Sequence, residues 1–365
     1  MADLDPTLGV AQAIAARAGA GEQVEAYVVR ARETEVSVLR GDVESLTVAE
    51  QAGVGVRVVH DGRQGYAWAG SLEPTVLDET LAEARDNARF AARDEWQGVA
   101  TPAEANSVEP PTLALWRDEL GAVPTTAKVD LALALEAATA AADPRIRGVE
   151  SATYQDAALD AAVANSLGVE ASTRRTSCSC GAVALARDGT ETRTGYGFSV
   201  GRSPDELEVE TAAHDAARRA ARLLGAVQPP SQRLPVVLDP LVTGSLLAII
   251  GGALNGESVL KGRSMFAGRA GEVVAATDVT LVDDPTDAHA RGAAPYDAEG
   301  VPTRRTALLT DGVLDGFLQN VYTGRRCGAG TTGSAVPASR LHPASAHAHS
   351  PCAPGRATPR RSSRH

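Results

Sequence analysis

The sequence predicts an α+β protein built from a duplicated helix–meander–helix pattern, followed by a mostly β C-terminal domain and a disordered tail. Three observations lead there. Apolar residues change from helical spacing to alternation and back within the first 95 residues. The same order returns after residue 128, down to its turn dipeptides. Beyond residue 228 short extended stretches are separated by Asp, Gly and Pro turn words.

In the first unit, residues 7–18 (TLGVAQAIAARA) carry apolar positions at helical spacing and stop at Gly19. An extended stretch opens at Val24–Val29, and segments near 35–40, 43–49, 54–59 and 65–69 read as short strands of an antiparallel meander. Gly41 and Asp42, then Asp61 and Gly62, supply turn chemistry between them. From Pro74 an amphipathic pattern through Leu77, Leu81, Ala84 and Ala88 predicts a covering helix, with proline in the first turn where its missing N–H costs nothing. Residues 96–128 hold Pro102, Pro110, Pro111 and Pro124 without a sustained period and read as a connection.

In the second unit, a helix over 129–142 leads into β-like segments at 146–200 and a helix over 205–224. DG at 61–62 precedes GYAW at 65–68 and a helix opening at SLEP; DG at 188–189 precedes GYGF at 195–198 and a helix opening at SPDE. Internal duplication is one reading and two unrelated α+β halves the other. The third region opens with the strand PVVLDP (Pro235–Pro240), followed by a helix over Leu241–Leu254 and turn-rich, strand-like sequence to Asn320. The expected domains are thus 1–95, 129–228 and 229–336, with 96–128 as connection.

Residues 337–365 contain no Asp or Glu and a single large aliphatic side chain, Leu341, amid Pro, Ala, Ser, Arg and His. Such a segment has too little to bury to offset its ordering entropy, so it is expected to be disordered. Its composition fits a GC-rich gene read out of frame, or a genuine low-complexity tail.

The 365 residues carry 44% hydrophobic and 22% charged side chains and a formal net charge of −11, with no basic stripe, which argues against direct nucleic-acid or anionic-membrane binding. Met1–Pro6 has two aspartates and no basic region leading into an apolar core, and no apolar run reaches membrane-spanning length; a cytoplasmic location is expected. Cys178, Cys180, Cys327 and Cys352 lack zinc-ribbon spacing and read as reduced thiols.

Chemistry-bearing motifs are few. No HExxH, HExxxH or Cys/His zinc spacing occurs, and only His60, His214 and His289 lie outside the tail. His342, His347 and His349 form a loose tract within it. GAGTTG (Gly328–Gly333) matches GxGxxG, but no helical pattern follows and no acidic residue stands about 20 positions on, so a glycine-rich turn is the better reading. Asp283, Asp284, Asp287 and His289 contain ion-binding residue types, although Asp-Asp-Pro is ordinary turn chemistry. Ser245 and Ser264 lack a nucleophile-elbow context. No catalytic, cofactor-binding or metal residue is therefore assigned.

Several spaced motifs occur in one order: PVVLDP before an apolar helix, GRSMFAGRAGE (Gly262–Glu272), DDP (Asp283–Pro285), YDAEGVPTRR (Tyr296–Arg305), DGVLDGFL (Asp311–Leu318) and GTTGSA (Gly330–Ala335). With RGDVESLTVAEQAGVGVRVVHDGRQGYAW (Arg40–Trp68), they resemble the TldD/TldE (PmbA) family, also called modulator of DNA gyrase, over roughly residues 20 to 335. In that family the TldD-type subunit carries HExxxH on the helix after the strand corresponding to PVVLDP. The resemblance places those three slots at Ala248, Ile249 and Ala253, none able to ligate zinc or move a proton. It therefore implies a TldE (PmbA)-like subunit without a zinc site and with no activity alone. Its partner would be a TldD-like HExxxH-bearing subunit that holds the zinc, and unfolded or flexible peptides would be the substrate. The alternative is a non-enzymatic peptide- or protein-binding scaffold that self-associates.

Overall fold

The computed structural model describes residues 6–337, so the expectation for the 337–365 tail, apart from Pro337, lies outside the described residues. The first unit runs α1 (Pro6–Ala15), β1 (Glu22–Leu39), β2 (Asp42–His60), β3 (Arg63–Ala69) and α2 (Pro74–Phe90). The connection holds two single-turn helices, α3 (Pro102–Ala105) and α4 (Glu119–Ala122). The second unit repeats the order as α5 (Thr125–Ala141), β4 (Ile146–Asn165), β5 (Glu170–Asp188), β6 (Glu191–Gly201) and α6 (Val209–Ala221). All six strands form one antiparallel sheet in the order β3-β2-β1-β4-β5-β6, and the units meet where β1 pairs with β4, from Glu25↔Asn165 to Val38↔Ala152.

The strands are longer than the sequence suggests, because 35–40 is the end of an 18-residue β1 and the segments at 43–49 and 54–59 are one 19-residue β2. Alternation marks a strand only where one face is covered. Residues 42–53 of β2 are exposed or half-buried on both faces except Gly53, so their polar and apolar side chains mix freely and the strand looks broken. Along β1 the even-numbered residues keep to one face throughout: Val24, Ala26 and Val28 pack in the core under α1 and α2, and Val36 and Val38 in the core under α5 and α6. One long strand therefore belongs to both cores.

The recurring glycine of GYAW and GYGF has a steric cause. A Cβ on Gly65 would lie 2.0 Å from the Ala84 carbonyl oxygen of α2. On Gly195 it would meet the Ala220 nitrogen at 2.2 Å, and on Gly197 the Ala212 oxygen at 2.0 Å, both in α6. Each outer strand thus lets the backbone of its covering helix lie directly on the sheet, and α6 answers with buried Ala212, Ala213, Ala216, Ala217, Ala220 and Ala221.

The third region comprises α7 (Pro240–Ala253), α8 (Gly256–Leu260), β7 (Leu281–Asp283), β8 (Thr306–Thr310), β9 (Val313–Leu314) and α9 (Val321–Cys327). It is α+β, but the expected mostly β character is corrected: its three strands have 3, 5 and 2 residues, against 14 in α7 alone. Left-handed glycines bound β8 on both sides, at Gly300 and Gly312, and Gly312 turns the chain from β8 into β9. PVVLDP is not a strand either. It is exposed, Val237 wholly so at 99%, and no described strand pairs with it.

Candidate functional site

Two places in the third region are candidates: the helix that carries the three resemblance-derived slots, and the loop of the YDAEGVP motif. Proline at the first turn starts α7, and the Asp239 side chain accepts from the Leu241 N–H at 3.0 Å, capping it. The helix is apolar on nearly every side, yet only Gly251 is fully buried; Leu246 and Ile249 are exposed and Ala248 and Ala253 half-buried.

A zinc site needs imidazole, thiolate or carboxylate donors converging from several positions. Methyl and sec-butyl side chains stand at Ala248, Ile249 and Ala253, and no group of three or more His, Cys, Asp or Glu among the described residues is placed to hold a metal ion. The residues present do not fit a zinc ion on α7. The Ala253 carbonyl instead accepts from Ser264 Oγ at 2.5 Å, and Ser264 Oγ in turn accepts from the Phe266 N–H at 3.0 Å. Ser245 Oγ donates to the Leu241 carbonyl one turn back. Both serines thus serve local structure.

The aspartates near β7 are engaged in turns. Asp284 Oδ1 accepts from the Thr286 N–H and hydroxyl, and Asp287 Oδ1 from the His289 N–H. Burial beside Asp284 pushes the Asp283 carboxyl up to about 6. In GAGTTG, Gly328 ends α9 in the left-handed conformation and the segment leads away from that helix, the reverse of a dinucleotide loop. Thr331 and Thr332 hydroxyls donate to the Gln319 carbonyl and fold the segment back. Cys178 and Cys180 are buried in the second core; burial pushes the Cys178 thiol up to about 12, so it is a packing residue.

The YDAEGVP loop is held to the far face of the sheet by a buried ion network that no sequence motif announces. Glu25 of β1 and Arg57 of β2 are cross-strand partners, and the guanidinium donates to both Glu25 oxygens at 3.0 and 2.9 Å. The same Nη2 reaches Glu299 Oε1 at 3.0 Å, while Glu299 Oε2 accepts from the Val321 N–H at the start of α9 at 2.8 Å. Burial raises the Glu25 carboxyl, and the two carboxylates hold the Arg57 guanidinium firmly charged against the cost of its own burial. Gly300 next to Glu299 has φ +77°, and its missing Cβ would lie 2.9 Å from Val169 and 3.1 Å from Val163. Glycine is needed there twice, for backbone angle and for contact. Further contacts clamp α9: Arg325 pairs with Glu104 at 2.7 Å and donates to the Val99 carbonyl, and the Tyr322 hydroxyl donates to Asp94 at 2.8 Å.

Asp297, two residues before Glu299, accepts from the Glu299 and Val301 N–H groups at 2.9 Å and from the Ala335 N–H at 3.0 Å. Burial and the neighbouring Glu299 nevertheless push its carboxyl up to about 7. In the unfolded chain an aspartate ionises near 4, so between about pH 4 and 7 the folded protein holds a proton that the unfolded chain has released. Stability contributed by Asp297 therefore falls as pH rises through that window and is level above it. Denaturant midpoints at pH 5 and 8 should differ less in Asp297→Asn than in the unsubstituted protein; an unchanged difference would remove Asp297 from the account.

Three family models cover most of the chain in succession: PmbA/TldA metallopeptidase domain 1 over 24–91, the central domain over 118–224 and the C-terminal domain over 231–358. The metalloprotease PmbA of Escherichia coli O157:H7 is 27% identical over 330 residues, spanning 89% of this chain and 72% of that protein. A metalloprotease TldD homologue of Haemophilus influenzae is 29% identical, spanning 80% and 61%. A crystal structure from Bacteroides thetaiotaomicron, described as a candidate modulator of DNA gyrase, superposes with a TM-score of 0.83 at 24% identity over 91% of this chain and 76% of that one. Identity to PmbA- and TldD-named relatives is similar, so overall likeness does not separate the two kinds; the three domains in order do fix the group, and this chain belongs to the PmbA/TldD metallopeptidase family.

Proposed function

We propose that this chain is the TldE (PmbA)-like, non-zinc-binding subunit of a TldD/TldE-type metallopeptidase complex that cleaves unfolded or flexible peptides. The observation that carries the reading is the side-chain chemistry of α7, where Ala248, Ile249 and Ala253 supply neither a metal ligand nor a general base. The helix is kept as scaffold, and the zinc and the proton-accepting carboxylate belong to a TldD-like HExxxH-bearing partner.

The setting is the cytoplasm, consistent with the absence, among the described residues, of any helix long and apolar enough to cross a membrane. The exposed α7 and the preceding apolar segment, with Val236 and Val237 at 69% and 99% exposure, favour a second reading as a self-associating scaffold. Co-expression with an HExxxH-bearing family member distinguishes the two. Under the proposal the pair co-purifies and cleaves an unstructured reporter peptide, and neither chain alone does. A chain that forms only homo-oligomers and leaves the partner's activity unchanged favours the scaffold.

A further inference from the structure

The outer edge of β2 is only half used. From Val54 to His60 it pairs with β3, but Asp42–Gly53 has β1 on one side and no strand on the other among the described residues. This stretch is also open on both faces, with Val43, Leu46 and Val48 at 44%, 43% and 48% exposure. It contains no proline and no lysine, and the charges that guard this edge against pairing are all carboxylates: Asp42, Glu44 and Glu50.

The second unit shows what the fold places at the equivalent position. β6 pairs with β5 only from Cys178 to Asp188, leaving Glu170–Ser177 beyond it. There the chain lays its own extended connection along the edge. The Thr176 N–H donates to the Leu115 carbonyl at 3.0 Å, the Arg117 N–H donates to Thr176 Oγ1 at 3.1 Å, and Arg174 lies 3.9 Å over the Trp116 ring. Leu115 is buried by this arrangement. Among the described residues the first unit carries no such cover.

The chemistry of the open edge selects an occupant. Alternation puts Glu44, Leu46, Val48 and Glu50 on one face: two apolar side chains between two carboxylates. No basic residue lies between Asp42 and Gly53. Glu44 accepts from Ser37 Oγ at 3.2 Å, and Glu50 has a 3.9 Å contact to Arg32 in which both side chains are largely exposed. A strand lying antiparallel to this one gains most by facing the carboxylates with cations and the apolar pair with β-branched residues.

We propose that Asp42–Gly53 is a strand-addition site for an extended segment of a partner protein in which two alternate β-branched residues are flanked, on the same face, by Lys or Arg. Backbone hydrogen bonds to the free edge supply the affinity, and the four facing side chains supply the selection. The site lies on the β2 side of the six-stranded sheet, away from β6, and does not depend on the reading of α7.

The probe is a labelled peptide, Lys-Thr-Val-Thr-Val-Thr-Lys, compared with its Glu-ended counterpart by fluorescence anisotropy on the whole chain. The Lys-ended peptide should bind about tenfold more tightly at low salt, with the advantage shrinking as salt rises. Amide-exchange protection should grow within residues 43–52. N-methylation of alternate peptide amides, made in both possible sets, should abolish binding in one of them, because only outward-facing N–H groups meet the edge. Exposed side chains make Glu44→Lys with Glu50→Lys compatible with folding, and that variant should prefer the Glu-ended peptide. Equal binding of the two peptides, binding of neither, or protection elsewhere would overturn the proposal. So would a chain that dimerises through this edge while ignoring both peptides, which would assign the edge to a second copy.

Discussion

Arg57→Ala should be among the most destabilising single substitutions in the chain, by about 3–5 kcal/mol. The guanidinium sits between Glu25 and Glu299, with side-chain exposures of 14%, 9% and 7% respectively. Removing it leaves two carboxylates buried near one another with no cation, and the protein must either protonate them or admit water. The loss should be largest at neutral pH and shrink toward pH 4, where proton uptake relieves the repulsion. Because Glu299 also holds the first N–H of α9, the detachment should spread to the third region. Thermal unfolding should show an earlier transition, and amides of 296–303 and 321–327 should exchange faster. Replacing all three charges with Met, Gln and Gln should recover much of the loss, since neutral side chains of similar size cost less to bury than an orphaned charge. Arg57→Ala melting with the unsubstituted protein would show that the network contributes nothing.

Gly197→Ala should cost about 3 kcal/mol, at the upper end for a single added methyl. The obstacle is the Ala212 carbonyl 2.0 Å from the new Cβ and the Ala216 nitrogen at 2.5 Å, both backbone atoms in a helix that cannot rotate away as a side chain would. α6 would have to lift from β6, opening the alanine-lined core beneath it. A lifted α6 exposes apolar surface, so dye binding should rise and the denaturant midpoint fall. Gly189→Ala is the control: it lies in the β5–β6 turn with nothing within 4 Å, and its positive φ brings only the smaller backbone penalty. Equal effects at the two positions would refute the close-approach explanation.

Much of the α+β order was legible in the sequence because covered strands and amphipathic helices reveal themselves by periodicity. The GYAW and GYGF repeats mark the same strand–helix contact in both units, and Pro74 marks the start of α2. The single sheet was not legible, because the β1–β4 pairing joins Glu25 to Asn165 across 140 positions and leaves no local signal. The third region misled for a different reason. Its extended, apolar words suggest strands, yet the left-handed Gly312 follows a β8 of only five residues, and PVVLDP pairs with no strand among the described residues. In the candidate site, the residue types on α7 were plain in the sequence, while the equation of Ala248, Ile249 and Ala253 with ligand and base slots rests on the family resemblance alone. The Glu25–Arg57–Glu299 network was not legible, since a charged residue in an alternating strand usually signals solvent, and only the third region's arrival on that face buries it.

The most direct test of the account is the metal content of the chain purified alone, measured by elemental analysis and by zinc titration after chelation. The chain should hold no stoichiometric, tightly bound zinc, and neither should the triple substitution Ala248→His, Ile249→Glu and Ala253→His. Donors restored on one helix still lack a further ligand and the hydrogen-bonded surroundings that fix ligand geometry. One tightly bound zinc per unsubstituted chain, or a triple variant that binds zinc and cleaves peptides without a partner, would contradict it.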